Sequence, residues 1–371
     1  MCNTCLPTPE YSNTNDGFAD ALVDMLNQGA LALMVSIGHR TGLYDTLSEL
    51  PPADSATIAA QAGLNERYVR EWLGAMVTGR IVDYDAQTGR YHLPASRAAL
   101  LTRTASPDNI AVFAQYIGLL GQVEDRVVDC FRFGGGVAYE HYPRFHEVMA
   151  EDSGQTVVSG LEQHILPLAP GLIDRLERGI RVLDIGCGSG RALLYLAARF
   201  PRSAFTGYDL AESALQRARA EAQTRGLSNV AFVCRDLSDF ADSADPAAFD
   251  LVTAFDAIHD QAAPQAVLDG IARTLKPGGA FVMQDIRASS HLQNNLDHPI
   301  GTLLYTISTM HCMTVSLAQN GAGLGTVWGE ELAVQMLNKA GFDDVEVHQL
   351  AHDFQNNFYV THKPQPQNKP H

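Results

Sequence analysis

Val182–Gly190 reads VLDIGCGSG, and a second apolar run, Ala204–Asp209 (AFTGYD), ends on an acid about twenty positions further on. A hydrophobic strand that breaks into glycines and then a helix (Arg191–Arg199) lets backbone approach a ligand closely, because glycine tolerates left-handed conformations and carries no Cβ. An acid at the tip of the next strand is placed to hydrogen-bond a ribose diol. Strand, turn, helix, second strand and acid occur here in that order, and together they predict a nucleotide-type cofactor.

The details of the turn narrow the ligand. It opens on Asp184 and lacks the Gly-x-Gly-x-x-Gly register that seats a pyrophosphate on a helix N-terminus. There is no Gly-x-x-x-x-Gly-Lys-Ser/Thr loop either. An acidic loop suits a ligand with a cationic end and no phosphates. The motif resembles the first motif of class I S-adenosylmethionine (SAM) methyltransferases, and the likeness continues along the chain. Cys234–Leu237 (CRDL), after the strand VAFV, is similar to the segment that meets the adenine. Phe249–Phe255 (FDLVTAF) resembles the fourth strand, and Leu275–Asp285 (LKPGGAFVMQD) the helix-turn-fifth-strand signature. The resemblance implies SAM as cofactor and S-adenosylhomocysteine as product. It implies that Asp184, Gly186, Gly188 and Gly190 hold the methionine end, Asp209 with Leu210 the ribose, and Asp236 with Leu237 the adenine. Phe255 and Asp256 complete the implied cofactor contacts.

Composition sets the frame. The 371 residues exceed one ordinary core, so two domains are expected, and 46% hydrophobic with 18% charged residues is a globular composition. No apolar run approaches membrane-span length on this reading, and the N-terminus lacks a basic region followed by an apolar one. A cytoplasmic protein without membrane attachment is expected. The net charge of −16 disfavours nonspecific attraction to nucleic acid. Six scattered cysteines form no disulfide framework, and Cys2/Cys5 make only half of a structural zinc site. No metal is expected.

The chain organises as follows. Residues 1–17 read as a disordered tail. Residues 18–105 carry a long apolar helix (18–38), short helices, a capped helix at Ser55–Gly63 and another after Asn65, then strands RIVDYD and RYHLP. This is a winged-helix order. Its presumed reading helix mixes Arg67 and Arg70 with Glu66 and Glu71, so dimerisation is preferred over DNA binding. Residues 106–179 form a helical connector in which a Gly134–Gly136 break precedes an aromatic helix, Tyr139–Met149. Residues 180–363 alternate apolar strands with amphipathic helices, predicting an α/β, doubly wound, mostly parallel sheet of Rossmann-like type. A final helix and antiparallel hairpin end it. The insertion 287–328 fits no regular strand, Gly321–Gly329 reads as a mobile hinge, and 364–371 is a polar tail.

Methyl transfer from a sulfonium needs an aligned acceptor and a place for its proton. His259, just past the fourth strand in DAIHDQ, is the candidate base, having the one unperturbed side-chain pKa near neutrality. The whole arrangement resembles small-molecule O-methyltransferases with an N-terminal winged-helix dimerisation domain, in which a His-Asp pair supplies the base; His259-Asp260 matches it. The resemblance implies a small-molecule acceptor with a hydroxyl favoured, and a homodimer through the N-terminal domain. Gln261 stands where that group has Trp, and no acid near Trp328 matches the orienting residue, leaving Asp285 for that role. Tyr139, Tyr142, His146, His311, Cys312 and Trp328 are candidates for the acceptor pocket. His311-Cys312-Met313 offers soft ligand types, so a thiol or metalloid acceptor is an alternative, although neighbours in a helix point apart. A SAM-responsive transcriptional regulator is a second alternative.

Overall fold

The protein's structure, a computed structural model, describes residues 15–365 and divides into two compact units, one up to Gly121 and one from Gln122. Cys2, Cys5 and most of both expected tails lie outside the described residues.

The first unit has the winged-helix order: α1 (Asn15–Thr41), α2 (Leu43–Glu49), α3 (Ser55–Ala62) and α4 (Glu66–Thr78), then β1 (Asp83–Asp85) paired antiparallel with β2 (Arg90–His92). Side chains set the helix starts. Asp54 accepts from the Thr57 amide at 2.8 Å, and Asn65 from the Arg67 amide at 3.0 Å. Val69, Trp72, Leu73 and Met76 line one face of α4 and meet Leu43, Tyr44 and Ile58 in the core. The strands are shorter than the sequence runs because Ile81 and Val82 still donate to the Met76 carbonyl, finishing α4. Ala111 packs in this same core, which draws the start of the expected connector into the first unit.

The expectation that no apolar run reaches membrane-span length is corrected here. Gly17–Thr41 is long and apolar enough by length and composition, with a hydropathy of 1.4. The two acids Asp20 and Asp24 lie near one end and His39 and Arg40 at the other, leaving the largely apolar run Gly29–Gly38 between the polar pair Asn27–Gln28 and the basic end. Leu31, Met34 and Val35 on that run pack against the winged-helix core.

The second unit is built on a seven-stranded sheet: β3 (Arg181–Ile185), β4 (Ala204–Asp209), β5 (Val230–Cys234), β6 (Phe249–Phe255), β7 (Leu275–Ile286), β8 (Glu346–His348) and β9 (Asn356–His362). The order is β5-β4-β3-β6-β7-β9-β8, parallel except for β9, which runs antiparallel to β7 and β8. One core lies on the face covered by the 191–199 and 212–224 helices, the other beneath the 264–274 and 329–339 helices. Strand β3 pairs with both β4 and β6, so the order reverses there and opens a crevice at the strands' carboxyl ends.

Two segments differ from their sequence reading. Tyr139–Met149 is not one helix: Tyr139–His141 is a 3-10 turn and the helix begins at Phe145, because Pro143 bars its predecessor from helical geometry. The insertion is largely helical, with Gly301–Ile307 and Met313–Ala318 joined by a π-helical turn over Ser308–Cys312. The stretch read as a hinge is tightly packed: a Cβ on Gly329 would collide with the Ser289–Ser290 backbone, and Trp328 is buried in the core.

Candidate active site

The glycine turn and the tip of β4 form one side of the crevice. Gly186, Gly188 and Gly190 all have left-handed backbones, with φ of 67°, 53° and 70°. A Cβ at Gly186 would strike Ala257 and one at Gly190 would strike Phe232, whereas Gly188 faces open space. Gly188 is thus where backbone is exposed to a ligand. Its amide donates to Asp209 Oδ2 at 2.8 Å, and the Ala211 amide donates to Asp209 Oδ1 at 2.7 Å. The carboxylate is fixed in direction yet keeps lone pairs for a diol. Asp236 Oδ1 is similarly held by the Ser238 amide at 2.8 Å. These residues border a cavity of about 210 Å³, shared with Leu210, Leu237, Phe255, Asp256, Tyr139 and His146.

A smaller cavity of about 80 Å³ adjoins the turn and reaches Asp184. Asp184 is buried and accepts from Thr253 Oγ1 at 2.6 Å; burial pushes its carboxyl up to about 7. Asp256 has φ of 48°, a buried Oδ1 without a hydrogen-bond partner among the described residues, and a pKa raised well above the ordinary range by burial and then by Asp285. Two buried acids that gain from a nearby positive charge fit the cationic methionine end of SAM. Gly188, Asp209 and Asp236 fit its ribose and adenine.

At the other side of the crevice, β6 and β7 bring together a cluster of buried polar groups. His259 Nδ1 lies 2.7 Å from Asp285 Oδ1, which also accepts from Trp328 Nε1 at 2.9 Å and from the Ile286 amide at 2.8 Å. His259 Nε2 faces Asp260 Oδ1 at 3.2 Å. Asp260 Oδ2 accepts from Tyr139 Oη at 3.1 Å. Burial disfavours the imidazolium, but Asp285 and Asp260 outweigh it and raise His259 well above its ordinary value. Burial likewise works against the Asp260 carboxylate, and His259 outweighs it to hold the carboxyl well below the usual range. His259 is therefore the charged centre of a carboxylate–imidazole–carboxylate array.

The π-helical turn adds His311 and Cys312. His311 stacks on Phe145 with ring centroids 3.4 Å apart, and Tyr139 and Tyr142 meet it edge-on. Burial lowers His311 to about 4 and raises the Cys312 thiol to about 12, so both are neutral. Tyr142 donates to the Met310 carbonyl at 2.5 Å, tying this turn to the segment before Phe145. His146 stacks on Tyr139 with centroids 5.6 Å apart and lines both cavities; its pKa is lowered by burial.

Of the residues singled out from sequence, the cofactor set lines the two cavities except Gly190, which packs against Phe232, while His259 and Asp285 lie behind Asp260 and Tyr139. Trp328 does not line the cofactor cavity but backs Asp285. The cavity is also lined by Arg235 and Gln261, and by Phe145 and Gln319, which the sequence did not single out, nor did it show the hydrogen bond from Tyr139 to Asp260. The His-Asp pair signalled Asp260; nothing in the sequence signals Gln319.

Comparison with known proteins agrees with this architecture. The Rv2258c-like winged HTH domain family matches residues 29–103, and the methyltransferase domain family matches 176–341. A sterol 24-C-methyltransferase from Yarrowia lipolytica is 26% identical over 242 residues, covering 64% of this chain and 56% of that protein. A ubiquinone biosynthesis O-methyltransferase from Neisseria meningitidis is 35% identical over 109 residues, covering 29% of this chain and 45% of that protein. The chain thus spans about half the length of the curated relatives it matches. Human N-acetylserotonin methyltransferase, solved in complex with SAM, superposes with a TM-score of 0.67 at 18% identity, covering 95% of this chain and 99% of that one, a likeness of fold. Residues 29–103 thus match an Rv2258c-like winged HTH domain and residues 176–341 a methyltransferase domain, in a chain with the fold of the O-methyltransferases.

Proposed function

We propose that this protein transfers the methyl group of SAM to a small molecule, that a hydroxyl is the acceptor, and that His259 takes its proton. The observation that carries the reading is the hydrogen bond of His259 Nδ1 to the buried Asp285, at the crevice edge where Asp260 and Tyr139 meet the cofactor cavity. Bound SAM supplies an electrophilic methyl on a sulfonium, which an aligned acceptor displaces.

The chain's own residues do the rest. Gly188 and Asp209 orient the ribose end, Asp236 the adenine, and Asp184 with Asp256 the cationic end. Asp285 pins Nδ1, so Nε2 is the atom of His259 that trades a proton. Nε2 accepts a proton once the imidazolium has lost its own, and methylation of a hydroxyl rises with pH through the raised His259 pKa. Phe145, His146 and Tyr139 cover the cavity and limit water. A thiol acceptor would already be nucleophilic as the thiolate and would need His259 less. Presenting phenolic and thiol acceptors to wild type and His259→Ala tests this: loss of phenol methylation with SAM binding kept supports the reading, and undiminished turnover in the variant removes His259 as base.

The first unit supports self-association. Phe18, Leu22, Val23, Met25 and Leu26 on α1 are all exposed, an apolar face of the kind that a second copy covers. A homodimer through α1 is accordingly part of this reading, and Leu26→Asp is expected to give monomers by light scattering. DNA binding is disfavoured, since on α4 Arg67 pairs with Glu71 at 2.5 Å and Arg70 with Glu66 at 3.4 Å.

A further inference from the structure

Beside the acceptor end, three ligand atoms from two separate segments face one another. We propose that His259, Asp260 and Cys312 form a binding site for a zinc ion, separate from the cofactor and independent of the acceptor's identity.

The geometry is the first ground. His259 nitrogen, an Asp260 carboxylate oxygen and Cys312 Sγ all lie within 4.8 Å of one another, and Nε2 is already 3.2 Å from Oδ1. Zinc bonds of about 2.0–2.3 Å to nitrogen, oxygen and sulfur place tetrahedral ligands roughly 3.3–3.8 Å apart. Closing the triad asks for movements of about 1 Å. Because Cys312 comes from the insertion and the other two from the loop after β6, the divergence of successive helical side chains is no obstacle.

The outer shell is the second ground. A metal-binding histidine usually gives its other nitrogen to a carboxylate, which fixes its tautomer and aim. His259 Nδ1 is held in that manner by Asp285, and Asp285 by the indole of Trp328. Asp260 Oδ2 is held by Tyr139. Facing one another inside this shell are Nε2 and Oδ1, paired at 3.2 Å, and the thiol sulfur, which interacts with both His259 and Asp260.

A third observation stands apart from the triad. His311 is fully buried, and neither of its ring nitrogens has a hydrogen-bond partner among the described residues. Such a group is costly in a core unless something supplies its partner. It is adjacent to Cys312 in the π-helical turn and within electrostatic reach of Asp260 and His259, beside the triad rather than part of it. Backbone irregularities of this kind recur at functional sites.

Charge and protons balance. Zinc(II) bound to one carboxylate and one thiolate is neutral, which suits a buried position flanked by the further carboxylate of Asp285. Binding releases the thiol proton of Cys312 and the Nε2 proton of His259, so affinity rises with pH. An occupied site also withholds Nε2 from the acceptor, making zinc an inhibitor of any proton transfer that His259 performs.

The test uses the full chain, stripped with chelator and titrated with zinc chloride by calorimetry, then with cobalt(II) followed by absorption. One ion per chain is expected, with a thiolate-to-cobalt charge-transfer band. Cys312→Ser should abolish the band, and both it and His259→Ala should weaken zinc by about a hundredfold or more, since even outer-shell losses cost 10–100-fold. Trp328→Phe should weaken it by about tenfold. Circular dichroism checks that each variant is folded, and Asp260→Asn serves if His259→Ala is not. The double variant Cys2→Ser/Cys5→Ser should bind as wild type does. Absence of stoichiometric zinc in the wild type, or binding that survives Cys312→Ser and disappears with Cys2 and Cys5, overturns the site. SAM affinity of the stripped chain is measured separately, so failure here and failure of the methyltransferase reading are distinct results.

Discussion

The two sides of the crevice are held together in different ways. On the β3–β4 side, Asp209 and Asp236 are fixed by amides two residues away, or in one case twenty-one residues away at Gly188. On the β6–β7 side, His259 depends on a residue 26 positions away, Asp285 on one 43 away, and Asp260 on one 121 away. The first side is preorganised by a short stretch of backbone, so it accepts the same ligand wherever the motif occurs. The second is assembled from elements that can be exchanged separately, and it is where acceptor chemistry can differ between relatives.

The largest expected effect separates the two sides outright. His259→Ala should lower kcat for a hydroxyl acceptor by about 10²–10⁴-fold, the usual contribution of a general base, with SAM affinity unchanged by calorimetry. Equal loss of SAM binding would mean that the two sides are one unit. Asp209→Ala should do the reverse. Losing two charge-assisted hydrogen bonds to a diol, at about 1.5 kcal/mol each, weakens SAM by about a hundredfold. Turnover at saturating SAM should change far less, and a variant that binds SAM normally would remove Asp209 from the ribose.

The same contrast explains what could be read from the sequence. The strand-turn-helix at 182–199 and the acid at Asp209 are legible because their geometry follows from local backbone: glycines that need positive φ, and an acid at a strand tip. The winged-helix order is legible from the capped helix at Ser55–Gly63, the cap at Asn65 and the stripe Trp72, Leu73, Met76, to which the structure adds the cap Asp54 and Val69. His259 could be placed at the sheet's carboxyl edge, but the meaning of Trp328 could not, because only the packing of the insertion against β7 turns its indole toward Asp285. The insertion looked irregular since a π-helical turn breaks the 3.6-residue period that marks a helix. Pro143 was the local sign that Tyr139–Met149 could not be one helix. In α1 the acids Asp20 and Asp24 interrupt the apolar run near its start, so its span-like length emerges only once the helix is continuous to Thr41.

A third prediction probes the array through its pH dependence. Asp260 and Asp285 both raise His259, and the base form exists only above that raised pKa. Asp260→Asn removes one of the two carboxylates, lowers the His259 pKa and moves the rising limb of kcat/KM to lower pH. A shift of one pH unit corresponds to about 1.4 kcal/mol between the two protonation states, a modest demand for a buried carboxylate. A limb that stays where it was would show that Nε2 does not titrate in the reaction.

Trp328→Phe should have the smallest effect, and its sign is the informative part. Trp328 touches no part of the cofactor cavity and acts through Asp285, so it is a positioning residue. Its indole is one of three donors on Asp285 Oδ1, along with His259 and the Ile286 amide. Removing it leaves the other two to carry the carboxylate's charge, so Asp285 pulls harder on Nδ1 and the His259 pKa rises. The rising limb of kcat/KM should therefore move to higher pH, opposite to the Asp260→Asn shift. Turnover near neutrality should fall by about tenfold, in keeping with the loss of one hydrogen bond to a charged group, while SAM affinity stays constant. A role in packing alone would lower the yield of folded protein and leave the limb in place. Opposite displacements from the two variants would require both carboxylates to act on one imidazole, which the cofactor side of the crevice has no means to imitate.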